Sequence, residues 1–438
     1  MGQSAREVAL HCLMAGEKQG AWSDGYLRNA IRRAKLERRD AALCTRLAFG
    51  VLQNRMLLDW HIARLCTTPI DKLEPAVRDC LRLGAYQLLF LDRVPVHAAV
   101  NESVALSKRY SRSPRASALV NAVLRALDRA KEAGLCRPEE LSLRYSHPEW
   151  LVKEFSRILP AEEVEALLAA DNAQPPTQAQ VNTLLTTPEA LVEELTQAGI
   201  TVRYHPWLPC CLELEDTGNL EILPAFQEGR FYIQDAAARL AVLAAGAEPD
   251  MRILDACAAP GGKSFAAAIQ MEDRGSILSC DLHPHKKKLI EGGARRLGIK
   301  SITAAVRNGR VFDPELEKGF DLVIADVPCS GLGIIRKKPD IRYKDPAPLE
   351  DLPAVQRDIL ATTACYVRPG GVLLYATCTL LQRENRDVVE WFAEKDKNFT
   401  LEPFFLPGQI TAPEGMVTLW PHRQGTDGFF IAKFRRKA

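Results

Sequence analysis

Apolar residues recur at helical spacing through most of the first 130 residues. The windows are 5–14, 42–52, 56–65, 77–90, 98–106 and 116–127. This spacing is typical of amphipathic helices, and proline occurs only at the breaks Pro69, Pro75, Pro95 and Pro114. The pattern predicts an all-α bundle over residues 1–140, and the chain exits the bundle through the turn-rich, acidic stretch 131–140.

The pattern becomes mixed in residues 141–234. It predicts one amphipathic helix over 150–170, a linker at 172–176, a short strand from Val181 onward and a helix over 188–198, followed by further strands. A small α/β insert domain accounts best for this alternation.

Residues 235–438 alternate short apolar runs with helical segments. The runs at 252–256, 275–280, 321–325 and 371–376 are predicted strands, and each ends at polar or turn residues. We therefore predict a doubly wound, mostly parallel α/β domain whose functional residues lie at the carboxyl ends of the strands. The fold class is multidomain, α plus α/β.

Composition and charge narrow the class of protein. With 47% hydrophobic and 26% charged residues the chain has the balance of a soluble globular protein. Residues 1–140 carry 23 Lys and Arg against 15 Asp and Glu, which indicates either a nucleic-acid partner or simply a solvated helical face. We expect a cytoplasmic protein, because the chain shows no membrane-length apolar run and no signal-peptide core. We also expect a monomer.

The twelve cysteines are scattered, mostly within apolar stretches, and none forms a C-x-x-C pair. This usage favours a reducing compartment over a disulfide framework. His205, Cys210 and Cys211 lie close in sequence, but neighbouring side chains on a strand point to opposite faces. We expect no metal site.

The segment DACAAPGGKS, residues 255–264, lies between a predicted strand and a predicted helix. Its end resembles a P-loop, but Cys257 stands where that motif requires glycine, and a full G-x-G-x-x-G is also absent. Asp281, at the end of the next strand, is placed to accept hydrogen bonds from ribose hydroxyls. S-adenosylmethionine, which has a ribose and no phosphate, suits this site better than a nucleotide does. The alternative is a capped turn beside a solvated Asp281.

Two thiols and a carboxyl group follow two other predicted strands. Cys378 alone would more often be a buried structural thiol. Asp326 and Cys329, in ADVPCSG at 325–331, end a strand of the same sheet. Methylation of cytosine at C5 requires such groups, because a thiolate must add to C6, an acid must stabilise charge near N3, and a base must remove the C5 proton.

These motifs resemble those of the bacterial RNA cytosine-5 methyltransferases of the RsmB (Sun/Fmu) type, in the wider NOL1/NOP2/Sun group. The matching runs are DACAAPGGKS (255–264), DVPCSG (326–331), RKKPDIR (336–342), YATC (375–378) with Glu384-Asn385, and DGFF (427–430). Residues 1–140 are similar to the family's NusB-like RNA-binding domain through LRLGAYQLL (81–89), VPVHAAVNE (94–102) and VNAVLR (120–125). The resemblance covers nearly the whole chain and implies an RRM-like insert domain and a Rossmann-like methyltransferase domain.

The resemblance implies roles for particular residues. Cys378 would be the nucleophile, Cys329 would assist proton removal and release, and Asp326 would contact the cytosine. S-adenosylmethionine would be held by Asp281, Asn308, Asp326 and the turn Cys257, Ala258, Ala259, Pro260, Gly261, Gly262 and Lys263. The implied substrate is a cytidine in small-subunit (16S) ribosomal RNA.

The chain departs from the family pattern at two positions. Asn308 stands where many relatives carry an acidic residue near the adenine, and an amide oxygen can still accept a hydrogen bond from an amine. Gln180 stands where relatives usually carry Arg, which puts one phosphate contact in doubt.

Contacts with RNA are predicted less specifically. Arg336, Lys337 and Lys338 follow the Cys329 loop, so a phosphate beside the target base could reach them. The basic run 32–39 is either an RNA contact or a solvated helix face, whereas the run 286–288 is better explained as surface. Tyr343 and Phe430 are candidates for stacking on a flipped base or for the core.

Two other functions remain open from the sequence. One is a transfer RNA cytosine-5 methyltransferase, which has the same chemistry and another substrate. The other is a non-catalytic RNA-binding factor, although the joint presence of Cys378, Cys329 and Asp326 argues against it.

Overall fold

The computed structural model describes residues 3–19, 24–215 and 217–438. It divides into two compact units. The first contains the described residues up to Ala173 together with Ile335–Lys344, and the second contains Gln174–Ile334 and Asp345–Ala438. Among the helices described, none combines the length and the apolar character needed to span a bilayer.

The first unit is helical. Its helices are α1 (Ala5–Gln19), α2 (Asp24–Ala34), α3 (Arg38–Gln53), α4 (Arg55–Leu65), α5 (Pro75–Phe90), α6 (Val96–Tyr110), α7 (Ala116–Glu132), α8 (Leu141–Arg144), α9 (Glu149–Ser156) and α10 (Ala161–Asp171). Every predicted window through 116–127 lies within one of them, so the predicted bundle is confirmed. Helix α2, whose last turn is basic, falls outside the predicted windows.

The single helix predicted over 150–170 is wrong. The chain forms two helices, α9 and α10, and Pro160 stands directly before α10. Proline has no N–H to donate to the preceding turn, so a helix ends before it and a new one can begin after it.

The segment Ile335–Lys344 contributes a buried arginine to the first unit. Arg342 is completely buried, and its guanidinium lies 2.8 Å from Asn172 Oδ1 and 3.2 Å from the carbonyl oxygens of Gln53 and Ser146. The Tyr343 hydroxyl donates to the same Ser146 carbonyl at 3.2 Å. Buried backbone acceptors from separate parts of the unit are thus satisfied by one side chain.

The second unit begins with a four-stranded antiparallel sheet in the order β2-β3-β1-β4. Its strands are β1 (Thr177–Val181), β2 (Thr201–Tyr204), β3 (Cys211–Glu215) and β4 (Phe231–Ile233), and its helices are α11 (Pro188–Gln197) and α12 (Pro224–Gln227). The predicted helix over 188–198 is confirmed. The strand predicted from Val181 onward instead ends at Val181.

The rest of the second unit is an eight-stranded sheet. Its main order is β10-β14-β9-β8-β5-β6-β7, with β13 paired to β14. The strands are β5 (Arg252–Asp255), β6 (Ser276–Asp281), β7 (Ile302–Val306), β8 (Phe320–Asp326), β9 (Val367–Thr377), β10 (Phe399–Leu401), β13 (Met416–Leu419) and β14 (Phe429–Arg436), and a separate hairpin contains β11 (Phe404–Leu406) and β12 (Ile410–Ala412).

Strands β9, β8, β5, β6 and β7 are mutually parallel, whereas β14 is antiparallel to its neighbours. One face packs on helices α13–α15 and the other on α16 and α17. These helices are α13 (Ala236–Ala245), α14 (Gly262–Gln270), α15 (Pro284–Arg296), α16 (Leu352–Ala364) and α17 (Arg386–Lys395), with a short α18 (Pro421–Gln424) near the end of the chain. The predicted doubly wound, mostly parallel α/β fold is confirmed.

Candidate active site

Four parallel strands deliver polar residues to one edge of the large sheet. Strands β5, β6 and β8 end at Asp255, Asp281 and Asp326, and β9 ends at Thr377, directly before Cys378. Asp326 is paired in register with Ala376. The two loops that carry Cys329 and Cys378 therefore leave neighbouring strands at the same end of the sheet, as the sequence predicts.

The two thiols are in contact. Cys329 Sγ lies 3.3 Å from Cys378 Sγ, and both residues are partly exposed. With Cys329 as the S–H donor, this hydrogen bond lowers the pKa of Cys378; burial and the Asp326 carboxylate oppose the shift, and the nearby Lys263 cation assists it. The same contact, together with burial, raises the pKa of Cys329 well above its ordinary value. The pair thus favours a thiolate on Cys378 and a thiol on Cys329.

Lys263 connects the glycine turn to the thiols. It lies in the first turn of α14, and its Nζ donates to Asp326 Oδ2 at 2.6 Å. Burial lowers the pKa of Lys263, but the Asp326 carboxylate outweighs it and the net pKa is raised. Lys263 therefore remains a cation beside Cys378. The sequence predicts only that the backbone of Lys263 contacts the cofactor, because no spacing in the chain relates residue 263 to residue 326.

The glycine turn lies against the end of β6. The Ala258 N–H donates to the Cys280 carbonyl at 2.8 Å, which places the turn beside Asp281. Gly261 has φ +114°, and a Cβ there would meet the Phe265 ring at 2.4 Å, so only glycine fits. Asp281 Oδ1 accepts from the His283 N–H at 3.0 Å, and Oδ2 lies 3.6 Å from Lys286 Nζ. A close backbone turn beside a carboxylate fits the ribose of S-adenosylmethionine.

Asp255 supports this turn from the interior. Ser264 Oγ donates to Asp255 Oδ2 at 2.7 Å, and Ser279 Oγ lies 2.8 Å from Ser264 Oγ. Asp255 is completely buried, and burial raises the pKa of Asp255 to about 7 despite the hydrogen bond from Ser264. Its position favours a structural role rather than contact with a ligand.

The two departures from the family pattern lie in different environments. Asn308 follows β7, is exposed, and uses Oδ1 to accept from the Arg310 N–H at 3.1 Å. Gln180 is buried, and its amide donates to the Gln234 carbonyl at 3.0 Å. The departure at Gln180 therefore falls on a core position and not on an exposed RNA contact.

The predicted RNA contacts are unevenly exposed. Arg336 is 7% exposed, Lys337 is half-buried and Lys338 is exposed, so Lys338 is the most accessible of the three. Phe430 is buried in β14 with its ring edge-on to Tyr375, which favours the core over base stacking. The five basic residues of 32–39 are exposed, as a solvated helix or an RNA contact requires.

Three family models match successive parts of the chain. They are the NusB family over residues 3–129, the RsmF/B-like ferredoxin-like domain over 147–221 and the 16S rRNA methyltransferase RsmB/F over 242–435. The probable ribosomal RNA small subunit methyltransferase B of Bacillus subtilis is 35% identical over 99% of both chains, and that of Synechocystis is 34% identical over 99% of both. The chain belongs to the RsmB/F family.

Solved structures agree with this fold. The crystal structure of PH0851 covers 100% of both chains with a TM-score of 0.81 and 26% identity. NSun6 from Pyrococcus horikoshii, solved with SFG, covers 66% of this chain and 98% of its own, with a TM-score of 0.59 and 22% identity. The predicted resemblance to the RsmB type, the NusB-like first domain and the Rossmann-like multidomain class are confirmed. The family model and the named relatives show that this RsmB/F protein is an RNA methyltransferase.

Proposed function

We propose that this RsmB/F protein transfers a methyl group from S-adenosylmethionine to C5 of a cytidine in small-subunit ribosomal RNA, through a covalent adduct between Cys378 and C6. The observation that carries the proposal is the contact of Cys329 Sγ and Cys378 Sγ at 3.3 Å, in a site that also contains the Lys263–Asp326 ion pair. The choice of RNA is supported by the names of the relatives.

Residues around the glycine turn would hold the methyl donor, which supplies an electrophilic methyl group on sulfur. The backbone of residues 257–263 would bind its methionine end, Asp281 its ribose and Asn308 its adenine. Lys263 is the last residue of this turn, and its ammonium donates to Asp326 Oδ2. Lys263 thus links the residues that would hold the donor to Asp326, the residue that would contact the cytosine.

Cys378 begins the reaction on the RNA. Its thiolate adds to C6, forming an S–C6 bond and moving the electron pair of the C5–C6 double bond toward N3 and C5. Asp326 contacts the base at its N3 edge, and the Lys263 ammonium paired with Asp326 supplies the positive charge that stabilises the negative charge developing there. C5 then bonds the methyl group, whose former bond to sulfur breaks to leave a neutral thioether.

Cys329 completes the reaction by accepting the C5 proton. The C5–C6 double bond reforms as the S–C6 bond breaks, and Cys378 leaves as a thiolate. The thiol-to-thiolate hydrogen bond is the largest cause of the raised pKa of Cys329. Bonding of Cys378 to C6 removes that cause and lowers the pKa of Cys329, although burial still raises it, so the thiolate form of Cys329 that accepts the C5 proton is more accessible once the adduct exists. Overall the methyl group replaces the C5 proton, which is released to solvent.

The test combines methylation with trapping of the adduct. Protein, S-adenosylmethionine and small-subunit ribosomal RNA are mixed, and a covalent protein–RNA band is sought on a denaturing gel. Cys329→Ala should accumulate the band, and Cys378→Ala added to Cys329→Ala should abolish it. Absence of both methylation and band with this RNA would refute the proposal, and activity on transfer RNA instead would support the alternative substrate.

The proposal includes a cytoplasmic site of action, which a ribosomal RNA substrate supports. It also includes the division of the chain into domains 1–140, 141–234 and 235–438. The ranges of the three family models, 3–129, 147–221 and 242–435, each fall within one of these domains. A monomeric state stays a prediction.

A further inference from the structure

The backbone on both sides of Cys329 is held by two buried side chains. Glu384 Oε2 accepts from the Ser330 N–H at 2.9 Å and from Gln356 Nε2 at 2.8 Å. Gln356 Nε2 also donates to the Pro328 carbonyl at 3.0 Å. Because Glu384 and Gln356 are both completely buried, these contacts restrain the loop without exchanging with solvent.

The backbone and side chains around Cys378 are held in a similar way by the next residue. Asn385 Nδ2 donates to the Thr379 carbonyl at 2.9 Å, and Asn385 Oδ1 accepts from Thr377 Oγ1 at 2.6 Å. Asn385 is 3% exposed. One side chain thus contacts the residue before and the residue after the nucleophile.

The two restrained loops are also joined to each other. Ser330 Oγ lies 2.7 Å from Thr379 Oγ1, so the residue after Cys329 contacts the residue after Cys378. The Tyr375 hydroxyl donates to the Glu384 carbonyl at 2.6 Å and so attaches the segment Glu384-Asn385 to strand β9. Adjacent residues on one short segment therefore hold both loops against the same strand.

Two buried oxygen atoms in this arrangement lower the stability of the folded protein. Glu384 Oε1 and Gln356 Oε1 are buried and accept no hydrogen bond from any group in the described part of the chain. A buried acceptor without a donor costs free energy, and such groups call for an explanation. Positions that lower stability while fixing a reactive group are expected at functional sites.

We propose that Glu384 and Asn385 are positioning residues that set the distance between the two thiols, Glu384 with Gln356 acting on Cys329 and Asn385 acting on Cys378. The inference rests on the proposed function for its kinetic consequences. It assigns opposite effects to neighbouring residues. Loss of Glu384 slows release of the adduct, whereas loss of Asn385 slows its formation.

The experiment compares the wild-type full chain with the variants Glu384→Ala and Asn385→Ala. Glu390→Ala is the control, because it removes the same side-chain atoms as Glu384→Ala from an exposed residue of α17 that pairs with Arg386. Three quantities are measured: methyl transfer to small-subunit ribosomal RNA, the fraction of protein in the covalent band, and cross-linking of Cys329 to Cys378 by dibromobimane in RNA-free protein. Peptide mapping assigns the cross-link among the twelve cysteines.

Both site variants should lose about 100-fold in methyl transfer, the cost of misplacing reacting groups by about 1 Å. The covalent fraction should rise above wild type in Glu384→Ala and fall below it in Asn385→Ala, and the dibromobimane cross-link should weaken in both. Glu384→Gln, which keeps an acceptor for the Ser330 N–H, should recover most of the activity. Glu390→Ala should match wild type in all three measurements.

Parallel losses of methylation and covalent band in both variants, matched by a lower melting temperature, would overturn the inference in favour of general destabilisation. An unchanged cross-link in both variants would also overturn it. If wild type does not methylate and Cys329→Ala gives no band, the proposed function fails. The cross-link needs no RNA, so it still decides whether Glu384 and Asn385 set the thiol distance.

Discussion

Gly333→Ala tests how closely the backbone is packed behind the nucleophile. The Gly333 N–H donates to the Cys378 carbonyl at 2.9 Å, and its own carbonyl accepts from the Gly428 N–H at 2.8 Å. A Cβ at Gly333 would lie 1.9 Å from the Gly428 carbonyl oxygen and 2.9 Å from the Cys378 carbonyl oxygen. The shorter distance is about 1.5 Å less than an ordinary contact, so one backbone segment must move.

Movement on this scale displaces the Cys378 loop. A misplacement of about 1 Å costs about 100-fold in rate, and overpacking costs about 1–3 kcal/mol in stability. We expect Gly333→Ala to lower kcat for methyl transfer about 100-fold while the protein still folds, as checked by thermal unfolding and by the rate of iodoacetamide alkylation of Cys378.

Gly292→Ala is the matched control. Gly292 lies inside α15, and a Cβ there meets no atom within 4 Å, so alanine should stabilise the helix by about 0.5–1 kcal/mol and leave kcat unchanged. A Gly333→Ala protein with wild-type kcat and normal alkylation of Cys378 would refute the argument, because the new methyl group would then be accommodated without moving the nucleophile.

Three further predictions concern electrostatics and stability. Lys263→Met removes a cation that lowers the pKa of Cys378 alongside the stronger hydrogen bond from Cys329, so alkylation of Cys378 at neutral pH should slow and its pH profile should move upward; an unmoved profile would contradict this. Burial raises the pKa of Asp255 from 3.8 to about 7, so between these pH values the folded state binds a proton that the unfolded state has lost. The free energy of unfolding should therefore fall as pH rises through this window. Asp255→Asn should make the melting temperature less dependent on pH between pH 4 and 8. Arg342→Met should lower the free energy of unfolding by at least about 3 kcal/mol in urea titrations, because several buried acceptors lose their donor; an unchanged midpoint would count against that account.

Much of the fold follows from local pattern. The helical windows before residue 130 and the four strands ending near Asp255, Asp281, Asp326 and Cys378 are where the periodicity predicts them, because each element buries one face. The division of 150–170 into two helices was missed although Pro160 marks it, since the apolar repeat continues on both sides of the proline.

The candidate site was predictable only in part. Strand-end positions bring Cys329 and Cys378 together without knowledge of the structure. The Lys263–Asp326 contact and the role of Gln356 depend on which helices pack on which face, and pattern along the chain contains no signal for them. Arg342 lies within the proposed methyltransferase range 235–438, yet its hydrogen bonds are to residues of the first compact unit, and no pattern along the chain indicates those contacts.

The membership of Arg342 in the first unit affects the order of events during synthesis. The helices of that unit emerge from the ribosome more than 160 residues before the segment Ile335–Lys344 that completes their packing. Until then the carbonyls of Gln53 and Ser146 have no guanidinium partner, so the nascent helical unit is less stable than the finished one. A fragment ending at Ala173 would reproduce this nascent state, and exchange of helical units between relatives would have to transfer two separate stretches of gene.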